Sequence, residues 1–167
     1  MPDKQTLERA RRDKREGKSP STQAGEFVRE EIEHIREGKH GARSAKQAIA
    51  IGLSKARRAG VDLPPPKEGK TTAETRRKAK RDLEAGERAT KKAPSRARST
   101  AVKKALKEEG HAAATTLALS RQARAAARKR SAADRSAAAK KAARTKGSKG
   151  RSAAAKKAAR TRAAHAS

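Results

Sequence analysis

The sequence has no cysteine, tryptophan or tyrosine, and a single phenylalanine, Phe27. Without cysteine there is neither a disulfide staple nor a thiolate nucleophile, and the composition fits a reducing compartment. The near-absence of aromatic rings argues against base-stacking platforms for single-stranded nucleic acid. Large apolar residues are also scarce. Leu, Ile, Val and Phe make up 15 of 167 residues, well below the roughly 20% at which high charge makes disorder the default reading. One large core is therefore excluded. No apolar run reaches bilayer-spanning length and no signal-type apolar region follows Met1, so a cytoplasmic protein with no membrane partner is expected.

Acidic residues are the last scarcity. Eighteen Asp and Glu face 46 Lys and Arg, for a net charge of +28. The imbalance grows along the chain: residues 1–63 carry +5, residues 64–110 carry +8, and residues 111–167 carry +15, with Asp134 the only acid after Glu109. A polycation is thus appended to a more balanced body, and such a charge finds polyanions, of which nucleic acid is the most abundant in a cytosol.

Nine of the fifteen large apolar residues fall between Phe27 and Leu63, and this stretch organises the chain. Ala24, Val28, Ile32 and Ile35 recur at i, i+4, i+8 and i+11, which predicts a helix over about 22–37 with Gly38 as its stop. Ser44 and Gln47 have capping-box spacing and open a second helix over about 45–59. Gly60 is suited to end it, with Val61 packing back. Small residues at 45, 48, 52 and 56 would let the first helix approach closely, and Pro64, Pro65 and Pro66 close the unit. Nine large apolar side chains contribute at most about 1.5–3 kcal/mol each, while backbone ordering costs roughly 1–2 kcal/mol per residue. An isolated hairpin of this size would need help from self-association or a partner.

The flanks are weaker. Residues 1–20 read as a charged arm with a short helix ending at Gly17. Thr71 to about Lys92 reads as a lone helix, Thr71 and Glu74 having capping-box spacing and Leu83 being its single large apolar residue. Pro94 breaks the chain, and two Ala-rich helices follow on either side of Gly110. In the tail, RSAAAKKAART occurs at 135–145 and again at 151–161, with Gly147 and Gly150 between the copies. Lys140, Lys141 and Arg144 repel one another on such a helix, so binding phosphate should favour helix formation.

No nucleophile–base–orienter set and no phosphate loop is present, and an enzyme is not expected. The spacing of His34, Glu37 and His40 would allow three metal ligands. The preferred reading is a solvated histidine pair at a helix end, with no metal and no cofactor. Glu26, Glu30, Glu33 and Glu37 line a face opposite the apolar stripe. They are expected to lie in water, either for solubility or as a dock for the chain's own basic tail or a basic partner.

The stretch GKHGARSAKQAIAIGLSKARRAGVDLPPP, from Gly38 to Pro66, resembles a family of small basic bacterial proteins of uncharacterised function, a resemblance extending over about 19–130. It implies a bacterial origin and no activity. The SAAAKKAA tail resembles in composition the tails of linker histones and bacterial histone-like proteins, which implies general DNA binding by charge.

These readings predict a mostly α protein. It comprises a charged N-terminal arm (1–20), a small helical hairpin (21–63), and a Pro-led linker with a lone helix (64–94). A second, weaker helical hairpin (95–130) and a largely disordered basic tail of Lys/Ala/Arg repeats (131–167) follow. The expected function is non-enzymatic, weakly sequence-specific DNA binding of the nucleoid-associated kind, with RNA as the other polyanion. The alternative is an adaptor whose 21–63 hairpin binds a protein partner while the tail tethers it to DNA or RNA; the same hairpin could pair with a second copy of itself. The residues expected to contact phosphate are Lys39, Arg43, Lys46, Arg57 and Arg58 on the body, and Arg135, Lys140, Lys141, Arg144, Arg151, Lys156, Lys157 and Arg160 in the tail.

Overall fold

The computed structural model describes residues 2–88 and 95–166. Every element among them is helical: α1 (Lys4–Arg15), α2 (Pro20–Arg36), α3 (Ala45–Arg58), α4 (Ala73–Glu87), α5 (Arg96–Lys107), a 3-10 turn (Ala112–Ala114), α6 (Thr116–Arg128) and α7 (Ala132–Ala166). The chain divides into two units, residues 1–122 and residues 123–167.

Three glycines end the first three helices by one device. Gly17, Gly38 and Gly60 all have positive φ, a conformation that costs other residues a steric clash. After α3, the Gly60 N–H donates to the Arg57 carbonyl and the Val61 N–H to the Ala56 carbonyl, at 3.0 and 3.1 Å. This is the Schellman pattern. It recurs after α2, where Gly38 bonds to Ile35 and Lys39 to His34, and after α1, where Gly17 bonds to Lys14 and Lys18 to Asp13. Each stop reverses the chain and sets the next helix against the last.

The expected hairpin is α2 packed on α3. Ser44 caps α3, its Oγ accepting from the Gln47 N–H at 3.2 Å. The Gln47 amide does not return to the cap residue; its oxygen accepts from the Arg43 N–H. Ala45, Ala48, Gly52 and Ala56 are all buried. A Cβ on Gly52 would lie 2.6 Å from the Val28 Cα, which shows how closely the helices approach. The buried face of α2 is Ala24, Phe27, Glu31 and Ile35, with Gln23 and Glu30 beside it. Val28 and Ile32 are only half-buried, so the face is turned relative to the stripe read from sequence.

The turn has a cause. Residues 1–20 are not a free arm: α1 packs on α2, with Thr6, Ala10 and Asp13 buried. Leu7 joins a cluster of Ala10, Ala24, Phe27, Ala56 and Val61. A second cluster comprises Ile35, Ala42, Ala48, Ala113 and Ala114, with Ile32 against it. Ala113 and Ala114 belong to the 3-10 turn, which packs on α2 and α3, and Arg36 Nε donates to the Ala114 carbonyl at 2.9 Å. The helices on either side of this turn, α5 and α6, bury no residue. What this stretch contributes to a core is the turn between them, not a second apolar hairpin.

Helix α4 is also not alone. It packs on α3 through polar contacts: Asp82 accepts from Ser54 Oγ at 2.6 Å and from Arg58 Nε at 2.7 Å. A Cβ on Gly86 would overlap the Arg57 carbonyl. Its cap is Thr72, whose Oγ1 accepts from the Thr75 N–H, rather than Thr71. The helix ends at Glu87, where Arg88 turns extended, short of the expected Lys92; the expected break at Pro94 lies outside the described residues.

In the second unit, Ser131 Oγ accepts from the Asp134 N–H and opens α7. The helix is interrupted at Gly147, with φ 66 and ψ 174, between the two repeat copies. No side chain from 132 to 164 is buried. The tail is thus more helical than a largely disordered segment, while offering no core. Alanine favours the helix locally, and an isolated helix with nothing packed on it is marginal in water.

Candidate functional site

The cations expected to contact phosphate separate into two groups. On the body, most are already engaged. Arg57 is buried, and its guanidinium donates to the carbonyls of Leu63 and Pro64 at 3.0 and 3.3 Å. Burial pushes this guanidinium down from its ordinary value, partly offset by the charge of Asp82. Arg57 therefore holds the chain where it leaves α3, its guanidinium turned to those carbonyls. Arg58 pairs with Asp82 at 2.7 Å and Arg43 with Glu109 at 3.4 Å. Lys39 pairs with Glu37 at 2.9 Å, and the hydrogen bond to that carboxylate raises its ammonium above the ordinary value. Lys46 is exposed and makes no ion pair among the described residues.

The tail differs. Arg135, Lys140, Lys141, Arg144, Arg151, Lys156, Lys157 and Arg160 are all exposed, and none pairs with a carboxylate among the described residues. Arg135 and Arg151 donate only to the backbone carbonyls of Arg130 and Gly147. At about 100° per residue, Lys140, Lys141 and Arg144 occupy one side of the helix, and Lys156, Lys157 and Arg160 repeat that arrangement.

The acidic ridge is not a free acidic face. Glu30 is 2% exposed and accepts from the Asp3 N–H at 3.2 Å. Glu26 bonds Arg9 at 2.6 Å, Glu33 bonds Arg29 at 3.0 Å, and Glu37 is taken by Lys39. Helix α1 covers part of the surface expected to face water, so these carboxylates are engaged by the body's own groups, with Glu30 Oε1 alone left buried without a hydrogen bond. A dock for the tail is not needed to explain them.

Where α2 ends, a different cluster forms. Glu31 sits in the apolar stripe between Phe27 and Ile35 and is fully enclosed, at 0% exposure. The Schellman turn at Gly38 brings His40 back beside it. His40 Nε2 lies 3.3 Å from Glu31 Oε1, and His40 Nδ1 lies 3.0 Å from the Gly41 carbonyl. His34, in the last turn of α2, places Nε2 3.3 Å from Asp3 Oδ2, and the two imidazoles meet edge to face with centroids 6.3 Å apart. Lys55 Nζ reaches across from α3 to within 2.5 Å of Glu31 Oε2 and 3.8 Å of Glu30 Oε1. The contacts of His40 and Lys55 with these carboxylates are ion pairs by distance without directed hydrogen bonds, since both Glu31 oxygens and Glu30 Oε1 lack a hydrogen-bond partner. One ligand atom each from Glu31, His34 and His40 lies within 4.8 Å of the others, and so does one each from Asp3, Glu30 and His34.

The two histidines read from sequence do meet, but they are mostly enclosed and not solvated, with side chains 14% and 17% exposed, and the acid beside them is Glu31 and not Glu37. The sequence signal for Glu31 is a carboxylate at a position where the helical period demands an apolar residue.

No helix among the described residues is long and apolar enough to cross a membrane. No curated protein and no solved structure matches the chain. Residues 5–67, which run from α1 through the α2–α3 hairpin to just past the prolines, match a family of unknown function, DUF6496.

Proposed function

We propose that the protein is a non-enzymatic, nucleoid-associated DNA-binding protein that holds the duplex by phosphate contacts with little sequence preference. The observation carrying this reading is the contrast between the two sets of cations. Of the five expected on the body, Lys39, Arg43 and Arg58 pair with carboxylates and Arg57 is held by backbone carbonyls, whereas those of the tail are exposed, repeat with a sixteen-residue period and have one acid, Asp134, among them. Neutralising phosphate with such side chains releases condensed counterions, a gain that does not depend on base sequence. Base readout has little support, because the oxygen of the amide suited to it on α3, Gln47, is taken by the Arg43 N–H.

Fluorescence anisotropy with labelled duplexes tests the reading. Binding to several unrelated sequences should agree within a few-fold and weaken together as salt rises. Duplex RNA as competitor separates DNA from a general polyanion. Strong preference for one sequence, or no binding at low salt, would overturn the proposal.

A further inference from the structure

We propose that Glu31, His34 and His40 form a binding site for a zinc-class divalent cation. Three observations meet there. The first is an enclosed carboxylate, Glu31, with neither oxygen hydrogen-bonded. Buried charge is costly unless a counter-charge and directed bonds compensate it. The second is the orientation of His40. The Gly41 carbonyl can only accept, so Nδ1 carries a proton, and Nε2 lies 3.3 Å from Glu31 Oε1 with no directed hydrogen bond between them. With Nε2 unprotonated, two acceptors lie side by side, an arrangement that a cation beside both would satisfy. An imidazole N–H held by a backbone carbonyl is also the usual support of a metal-bound histidine.

The third observation is spacing and charge. Nε2 and Oε1 lie 3.3 Å apart, which is about the edge of a tetrahedron with 2.0–2.1 Å bonds. Asp3, Glu30 and Glu31 bring three carboxylates to this corner against two ammoniums, Lys55 and, in electrostatic reach of Asp3 and Glu30, Lys39. Lys55 holds Oε2 and leaves Oε1 for the ion.

Two imidazoles and one carboxylate select zinc-class metals over magnesium or calcium, which prefer oxygen alone. The role is that of a staple. The site ties the end of α2 to the 39–42 loop, and Gly41 and Ala42 in turn bond the carbonyls of Leu106 and Gly110. A chain with no cysteine would gain the cross-link it otherwise lacks.

Calorimetric titration of Zn2+ alone into full-length, chelator-stripped protein tests this. One ion should bind per chain, and the melting temperature should rise with Zn2+. His40→Ala and His34→Ala should each weaken binding by more than the roughly 10–100-fold that loss of an outer hydrogen-bond partner costs. Glu37→Gln should leave it unchanged. Cobalt(II) should give the visible absorption of a low-coordinate site in the parent, a readout that stands even if a variant folds poorly. No stoichiometric ion in the parent, no such cobalt spectrum, or equal binding by a folded His34→Ala/His40→Ala double variant would overturn the proposal and leave a histidinium–carboxylate pair.

Discussion

Replacing Gly52 by alanine should destabilise the body, although alanine is the better helix former. A Cβ at this position meets the Val28 Cα at 2.6 Å, the Val28 nitrogen at 2.9 Å and the Phe27 carbonyl oxygen at 3.0 Å. All three are backbone atoms, so no rotamer change relieves the contact. Ordinary carbon–carbon contact begins near 3.5 Å, so α2 must retreat by about 1 Å. That retreat loosens Phe27, which is 1% exposed, and the buried Ala24 and Ala56 packed with it. Overpacking of this kind costs roughly 1–3 kcal/mol, against the 0.8–1.0 kcal/mol or so that alanine gains over glycine in a helix. A net loss of up to about 2 kcal/mol follows. The paired control is Gly25→Ala on the outer side of α2, where a Cβ meets nothing within 4 Å. It should stabilise by roughly 0.5–1 kcal/mol. Urea denaturation followed by circular dichroism reads both. If Gly52→Ala proved as stable as Gly25→Ala, the close approach of α2 and α3 would be wrong.

Three further outcomes follow from the contacts. Arg57→Ala should cost about 2–3 kcal/mol, because two carbonyls lose a charged donor, yet leave the salt dependence of DNA binding unchanged; a flatter slope would make Arg57 a phosphate contact after all. Asp82→Asn should speed hydrogen exchange in α4 ahead of α2 and α3, since Ser54 and Arg58 hold α4 through that carboxylate; uniform acceleration would refute a local role. Phe27→Ala should cost about 3–5 kcal/mol, which a core this small cannot absorb, so loss of the cooperative urea transition is the expected result and a persisting sharp one would contradict the core assignment.

The elements legible in the sequence are those specified by local chemistry. Ser44 at the cap, the glycines at 38 and 60, and the small residues of α3 each act through the nearest turn or a single neighbour, so their spacing carries the information. The resemblance read from sequence spans about 19–130, whereas the family match covers residues 5–67, beginning in α1. Helix α1 is the costliest element to overlook. Its burial rests on Leu7, Ala10 and Thr6, too few to register as an apolar stripe, and without it Glu30 is assigned to water. Helix α4 docks through Asp82, a polar anchor with no hydrophobic signature. Arg57 misleads because arginine is usually exposed, and only the path of the chain after α3 shows carbonyls waiting for it. Glu31 escapes notice because it is one of four glutamates on α2, where a single buried member has no compositional mark. The tail's cations, by contrast, are legible from charge alone.

The tail is therefore where the functional account is most directly tested. Removing residues 131–167 takes away eleven cations and one acid while leaving the α1–α4 body intact. The measurement is the duplex-DNA dissociation constant of the full chain and the truncated chain across a salt series. The account predicts weaker binding and a log–log slope flatter by about 0.9 for each phosphate that the tail no longer neutralises. An unchanged affinity and slope would place binding on the body, or nowhere, and contradict it.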